Sequence, residues 1–151
     1  NDVLTAEFAH GYGLFWFENT GKQANGDLAF TPHRILGSKA EENAEGVFFS
    51  QLHAIDLVDI NGDGVKDIIT GKRYFAHGSK GDAAPLDPAV LYWFEVQPGK
   101  KSGEAKFLSH LVHSDSGVGT QVLGTDVNGD GVPDIVVGNK KGCHVSVSVK
   151  P

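Results

Sequence analysis

An all-β fold is predicted by three features of the chain. Apolar residues arrive in short runs of strand length, separated by clusters of Gly, Asn, Asp and Pro. The composition of 20 Gly, 9 Phe, 3 Tyr and 2 Trp with no Met combines turn formers with residues that suit a pleated surface. No stretch sustains an apolar period near 3.6 residues, and only the Ala/Glu-rich segment from Ser38 to Glu45 offers a helical turn.

The strands fall into copies. Asp59-Ile-Asn-Gly-Asp-Gly-Val-Lys-Asp-Ile-Ile-Thr-Gly71 returns 67 residues later as Asp126-Val-Asn-Gly-Asp-Gly-Val-Pro-Asp-Ile-Val-Val-Gly138. Gly13-Leu-Phe-Trp-Phe-Glu18 returns 77 residues later as Val90-Leu-Tyr-Trp-Phe-Glu95, and Phe30-Thr-Pro-His33 returns at the same spacing as Phe107-Leu-Ser-His110. The opening Asn1-Asp2-Val3-Leu4-Thr5 matches the second half of the acidic motif, so the natural polypeptide is expected to extend upstream.

With strands A to D in each copy, the runs place B at about 2–6, C at 13–18 and D at 28–35 in the first. The second has A at about 51–58, B at 67–71, C at 89–96 and D at 106–112. The third has A at about 119–125, B at 134–138 and C at 143–149. Copies that repeat one internal order of strand types fit the four-stranded antiparallel blades of a β-propeller better than a sandwich of unrelated strands. The expected organisation is a single repeat region over 1–151, with a partial blade at about 1–36, a full blade at about 46–112 and a partial blade at about 117–151. Closing such a propeller needs further chain or other subunits.

Bulk properties narrow the partners. A net charge of −6 argues against nucleic acid, and much of the acid sits in two compact clusters that a divalent cation could neutralise. No run approaches the ~18 apolar residues of a membrane span. Cys143, alone, allows no internal disulfide and is expected to be a small buried residue.

The acidic motif has a direct chemical reading. Hard Ca²⁺ takes about six to eight oxygen ligands, and side chains at alternate positions of a tight loop can converge on one point. The first set is Asp59, Asn61, Asp63 and Asp67 with the backbone carbonyl of Val65; the second is Asp126, Asn128, Asp130 and Asp134 with that of Val132. Two Ca²⁺ sites are therefore expected. An EF-hand would need a Glu at the twelfth position between helices, where Thr70 and Val137 stand in β-rich runs. A bare Asn-Gly-Asp-Gly hairpin turn needs neither the first nor the last Asp. Mg²⁺ suits the loops less, because its geometry is stricter and it retains water.

These loops, with their trailing Asp-Ile-Ile-Thr-Gly71 and Asp-Ile-Val-Val-Gly138, resemble the FG-GAP/VCBS repeats of integrin α-chain propellers and bacterial surface proteins. The segments Gly71-Lys-Arg-Tyr-Phe-Ala-His-Gly78 and Ala89-Val-Leu-Tyr-Trp-Phe-Glu95 are similar to VCBS-type proteins of planctomycete-like bacteria. The resemblance implies that the acidic loop joins strands A and B and binds calcium, and it implies an extracellular, periplasmic or cell-surface location. The Phe-Gly and Gly-Ala-Pro motifs themselves are absent.

In an up-and-down blade successive turns alternate between two faces, so the B–C and D–A connections lie opposite the acidic loops. The long B–C connection from Lys72 to Pro88 gathers Lys72, Arg73, Tyr74, His77, Lys80 and Asp82. Ala9-His10-Gly11 echoes Ala76-His77-Gly78, and His144 stands in a similar place after the third acidic motif. The candidate ligand residues are Lys72, Arg73, Tyr74, His77, His10 and His53, facing a protein or carbohydrate ligand, with His10, His77 and His144 read as contacts to a sugar or a transition metal. The competing reading makes each His a strand-end hydrogen-bonding residue, repeated because the blade is repeated. Lys72-Arg73 could hold an anion or simply be solvated, and His33 and His110 are expected to be structural. Trp16, Phe17, Trp93 and Phe94 are expected to pack between blades and not to form a sugar platform.

The expected function is a calcium-binding propeller repeat module for extracellular protein or glycan binding or scaffolding, with neighbouring blades or domains as further partners. The alternative is part of a propeller-type polysaccharide lyase or hydrolase. No nucleophile–base or catalytic carboxylate pair is recognisable, and the patterned acids are already assigned to calcium.

Overall fold

The computed structural model describes residues 1–149. The expected third blade runs to 151, so its last two residues lie outside the described ones. The strands are β1 (Val3–Ala6), β2 (Leu14–Lys22), β3 (Leu28–Leu36), β4 (Ile55–Val58), β5 (Asp67–Gly71), β6 (Leu91–Pro98), β7 (Ala105–His113), β8 (Val122–Thr125), β9 (Asp134–Asn139) and β10 (Gly142–Ser146). They form three antiparallel sheets in the orders β1-β2-β3, β4-β5-β6-β7 and β8-β9-β10. The middle sheet is a complete four-stranded meander, as blades require. The Ser38 to Glu45 segment does turn helically, in two 3-10 turns at Ala40–Glu42 and Ala44–Gly46.

Several strand boundaries differ from the sequence reading. β4 and β8 start several residues late: before β4, Gln51 N–H donates to Gly11 O at 2.6 Å and its carbonyl accepts from Arg73 N–H at 3.0 Å, and before β8, Val118 N–H donates to Lys72 O at 3.1 Å. Gln51 itself has φ 62°, outside the strand region. The β2–β3 hairpin runs four residues longer than the apolar run suggested, reaching Lys22 through a bulge between Asn19 and Gly21.

The sheets are held face to face by side chains of alternating direction. Ile68 packs with Leu14, Ile35, Leu36, Phe49, Leu52 and Phe94, between the first sheet and the second. Its neighbour Ile69 packs with Leu91, Val118, Val122, Ile135 and Val137, between the second and the third. β5 is thus buried on both faces along its whole length. Each such aliphatic or Phe side chain contributes about 1.5–3 kcal/mol of transfer free energy. Trp16 packs against the first core and Trp93 against the second, so the repeated aromatic strand does pack between blades.

Polar contacts fix the spacing. Gly124 N–H on β8 donates to Asp56 Oδ2 on β4 at 2.8 Å. A Cβ on Gly124 would overlap Val58 Cγ1 and come within 2.9 Å of Ile69 Cδ1, so this approach of sheets admits only glycine. Between the first two sheets, Glu18 Oε1 on β2 accepts from Gly103 N–H at 3.1 Å and from Ser102 Oγ–H in the β6–β7 turn.

Two smaller expectations are corrected. Cys143 is exposed, because it lies on β10, whose one strand partner among the described residues is β9. His144 also lies on β10, with its ring 6.4 Å from that of His113, and does not occupy the loop position of His10 or His77.

Candidate metal loops and the opposite loop face

The acidic loops join β4 to β5 and β8 to β9, and they fold alike. Asp59 Oδ1 accepts from the amides of Gly62 at 2.7 Å and Asp63 at 3.1 Å, and its Oδ2 accepts from Gly64 at 2.9 Å. Asp126 repeats this with Gly129 at 2.7 Å, Asp130 at 3.2 Å and Gly131 at 2.8 Å. Asn61 Oδ1 accepts from Asp63 N–H at 3.0 Å and Asn128 Oδ1 from Asp130 N–H at 2.9 Å. Val65 N–H donates to Asp63 Oδ1 at 2.7 Å and Val132 N–H to Asp130 Oδ1 at 2.8 Å. Gly64 and Gly131 take φ of 88° and 83°, the left-handed turn that brings the amides round.

The last Asp of each motif has a second job. Asp67 is fully buried at the start of β5, with Oδ2 accepting from Ile60 N–H at 3.0 Å and Oδ1 from Val96 N–H at 3.0 Å. Asp134 is equally buried and accepts from Val127 N–H at 2.9 Å and Ser148 N–H at 2.8 Å. Asp67 therefore ties its loop to the neighbouring strand β6, and Asp134 ties its loop to the segment that follows β10. Burial pushes the Asp67 carboxyl up, the nearby Asp63 and Asp59 charges add to this, and the two amides oppose it. Asp126 is instead held below the usual carboxylate range, chiefly by the Gly131 amide.

The donor chemistry of both loops fits a hard cation. The side chains at the alternating positions of the loops, Asp59, Asn61, Asp63 and Asp67 and their counterparts Asp126, Asn128, Asp130 and Asp134, are carboxylates and carboxamides, with no thiol or imidazole among them. Among the described residues, no Lys, Arg or His forms an ion pair with Asp59, Asp63 or Asp67. Like charge keeps the three carboxylates of a loop apart, each turned onto its own backbone amides.

The loops on the other side of the sheets bring together four of the six candidate ligand residues. His10, in the β1–β2 connection, stands with its ring 4.6 Å from His53 and 4.6 Å from His77. Arg73 Nη1 lies 3.3 Å from His53 Nδ1. Burial first, and then the Arg73 charge, pushes the His53 imidazole towards its neutral form. Beneath them sits Asp82, whose Oδ1 is 3.0 Å from His10 Nδ1 and 2.7 Å from His77 Nδ1. Its Oδ2 accepts from the amides of Ala76 at 2.8 Å and His77 at 2.9 Å. These contacts, the His77 ring first, hold the Asp82 carboxyl far below its ordinary range.

Tyr74 and Lys72 stand apart from that group. The Tyr74 ring packs on Phe75, lies under Lys141 Nζ at 5.1 Å, and lines with Arg73 a neighbouring groove of about 540 Å³. Lys72 is 1% exposed, so the expectation of a solvated basic pair is corrected. Its backbone bridges Val90 and Val118 while its Nζ reaches Arg73 O at 3.4 Å, and desolvation pushes the ammonium's pKa down.

Gln51 escapes the sequence reading altogether, and Asp82 is placed there on the long connection without being singled out as a ligand. Asp82 lies in the part of the long connection that has no counterpart in the first copy, so no echo marks it. Gln51 is fully buried and donates from Nε2 to Ala83 O at 3.0 Å, beside Ser50 Oγ–H at 2.8 Å. Only its positive φ, invisible in sequence, sets it apart. By contrast, the Ala-His-Gly echo did mark the two imidazoles that meet.

Residues 118–142 match the family model of the FG-GAP repeat. That segment runs from Val118, through β8, the second acidic loop and β9, to the start of β10. No curated protein matches the chain. Among the described residues, no helix is long and apolar enough to cross a membrane.

Proposed function

We propose that this chain, whose residues 118–142 match the FG-GAP repeat model, is a calcium-binding β-propeller repeat module that works outside the cytoplasm in protein or glycan binding. The observation that carries this reading is the duplication of one loop conformation at Asp59–Asp67 and Asp126–Asp134, matched in each hydrogen bond to within 0.1 Å. Asp59, Asn61, Asp63, Asp67 and the Val65 carbonyl would hold one Ca²⁺. Asp126, Asn128, Asp130, Asp134 and the Val132 carbonyl would hold the other. The ion supplies charge neutralisation at a turn that otherwise crowds three carboxylates, and so couples strand pairing to calcium concentration.

Binding falls to the opposite face, where loops are long and carry His10, His53, Arg73, Tyr74 and His77 on a rigid β scaffold. The test has two parts. Calorimetric titration of chelator-treated protein should show two calcium ions taken up per chain, and no uptake in millimolar calcium would end the metal reading. Glycan and protein arrays probed with and without EDTA should show binding without turnover. Cleavage of an acidic polysaccharide would replace the binding role with a lyase or hydrolase one.

A further inference from the structure

Among the described residues, one set of three His, Cys, Asp or Glu side chains brings its ligand atoms within 4.8 Å of one another, and it lies away from the acidic loops: His10, His77 and Asp82. We propose that these three form a binding site for a borderline divalent transition-metal ion of the zinc type, chemically distinct from the calcium loops and independent of them. Imidazole nitrogen is a preferred ligand for zinc and its neighbours and a poor one for calcium, so two imidazoles and one carboxylate select that class.

The site is assembled by the fold. His10 and Asp82 are 72 residues apart and come from the β1–β2 and β5–β6 connections, which belong to different sheets. Asp82 is the fixed member: its side chain is 1% exposed, and the Ala76 and His77 amides occupy Oδ2, leaving Oδ1 to face both rings. The rings are the accessible members, with side chains 44% exposed for His10 and 63% for His77. An ion can therefore enter from solvent and meet a carboxylate already aimed. Nδ1 of His10 and of His77 stand 3.0 Å and 2.7 Å from Asp82 Oδ1. Ligand atoms in a tetrahedral zinc site stand roughly 3.4 Å apart, given bonds of about 2.0–2.1 Å, so a small opening of the trio admits the ion.

Two features behind the trio hold it in place. His53 packs edge-on against the His10 ring at an interplanar angle of 89°, fixing its orientation. The segment that follows Asp82 is anchored by Ser50 and Gln51, both donating to Ala83 O, and the backbone is strained on either side of that anchor, with φ of 62° at Gln51 and 42° at Ala84. Gln51 is fully buried and its Oε1 has no hydrogen-bond partner among the described residues, so polar cost and backbone strain both sit beside the trio. Three protein ligands leave a fourth position for water or a ligand oxygen, the arrangement of open rather than purely structural zinc sites.

The test is a competition titration of Zn²⁺ against a chromophoric chelator on the calcium-saturated chain, with Co²⁺ absorption as a second readout. Wild type should bind one zinc tightly enough to compete, and Co²⁺ should give the intense visible bands of low coordination number. His10→Ala and His77→Ala should each weaken zinc binding at least about tenfold, since loss of even an outer-shell partner costs that much. His113→Ala, elsewhere on the surface, and Asp63→Ala, in a calcium loop, should leave it unchanged. If His77→Ala misfolds by circular dichroism, His10→Ala decides, because that ring is half exposed on a loop. No zinc uptake by wild type, or equal uptake by wild type and His10→Ala, overturns the proposal. Loss of zinc binding in Asp63→Ala would overturn its independence from the calcium loops.

Discussion

The Trp93 indole stacks on the His110 imidazole with centroids 4.1 Å apart and planes at 12°, and the two residues stand directly opposite each other on β6 and β7. Trp16 and His33 repeat the relationship on β2 and β3 at 4.5 Å and 26°. A carboxylate completes each pair, with Glu95 Oε2 at 3.4 Å from His110 Nε2 and Glu18 Oε2 at 3.0 Å from His33 Nε2. Both histidines stand on the outer strands β3 and β7, where the sequence places them. A double-mutant cycle of Trp93→Leu and His110→Ala should give a coupling free energy of about 0.5–1.5 kcal/mol by chemical denaturation, and strict additivity would deny the stack any role.

Asp63 and Asp130 lie at matching places in the two loops, and the hydrogen bonds of Asp63 run to atoms of its own loop. Asp63→Ala or Asp130→Ala should each remove one calcium ion and lower the melting temperature in calcium, while for Asp63→Ala melting in EDTA stays close to that of the parent. At a calcium concentration 100 times the Kd the lost linkage amounts to about 2.7 kcal/mol. Equal melting of variant and parent in calcium would contradict the assignment.

Asp67 should behave differently from Asp63. Its two oxygens satisfy the Ile60 and Val96 amides from a fully buried position. Asp67→Ala should therefore destabilise the protein by roughly 1–3 kcal/mol for each amide left unsatisfied, with EDTA present as well as absent. Differential scanning calorimetry under both conditions separates a residue that only binds metal from one that also pins strands.

Gly124→Ala should cost about 1–3 kcal/mol through overpacking against Val58 and Ile69, although β8 is short and otherwise tolerant. The control is Gly138→Ala on β9, whose added Cβ meets nothing within 4 Å. Comparable unfolding midpoints for the two variants would contradict the close approach of β4, β5 and β8.

Glu18 and Glu45 both have folded-state pKa values below their ordinary 4.5, through Ser102 and Ser109 respectively. A depressed carboxylate contributes stability that is present above its unfolded value and lost as pH falls through its folded value. Melting temperature in EDTA should thus hold steady down to about pH 4.5 and fall below it. Glu18→Gln should flatten that fall, and an unchanged acid limb would remove Glu18 from the set of groups responsible.

Repetition explains what could be read from the chain. Strand types, the Trp-His pairs and the acidic loops recur, and recurrence made each visible against its neighbours. The residues that escaped do so for physical reasons. Lys72 follows Gly71 in a run that reads as solvated, yet its backbone is shared between Val90 and Val118 and its side chain is carried inward. Asp82 acts through a contact spanning 72 residues, a separation to which local periodicity is blind. Gln51 matters through a backbone angle that its residue type does not advertise.

Ile68 and Ile69 are adjacent in sequence and belong to opposite cores. The middle sheet is consequently a party wall, and it cannot open on one side without loosening its grip on the other. Heating should then give one calorimetric transition in place of a stepwise loss of blades, so damage at any point along β5 will be felt at both ends of the chain.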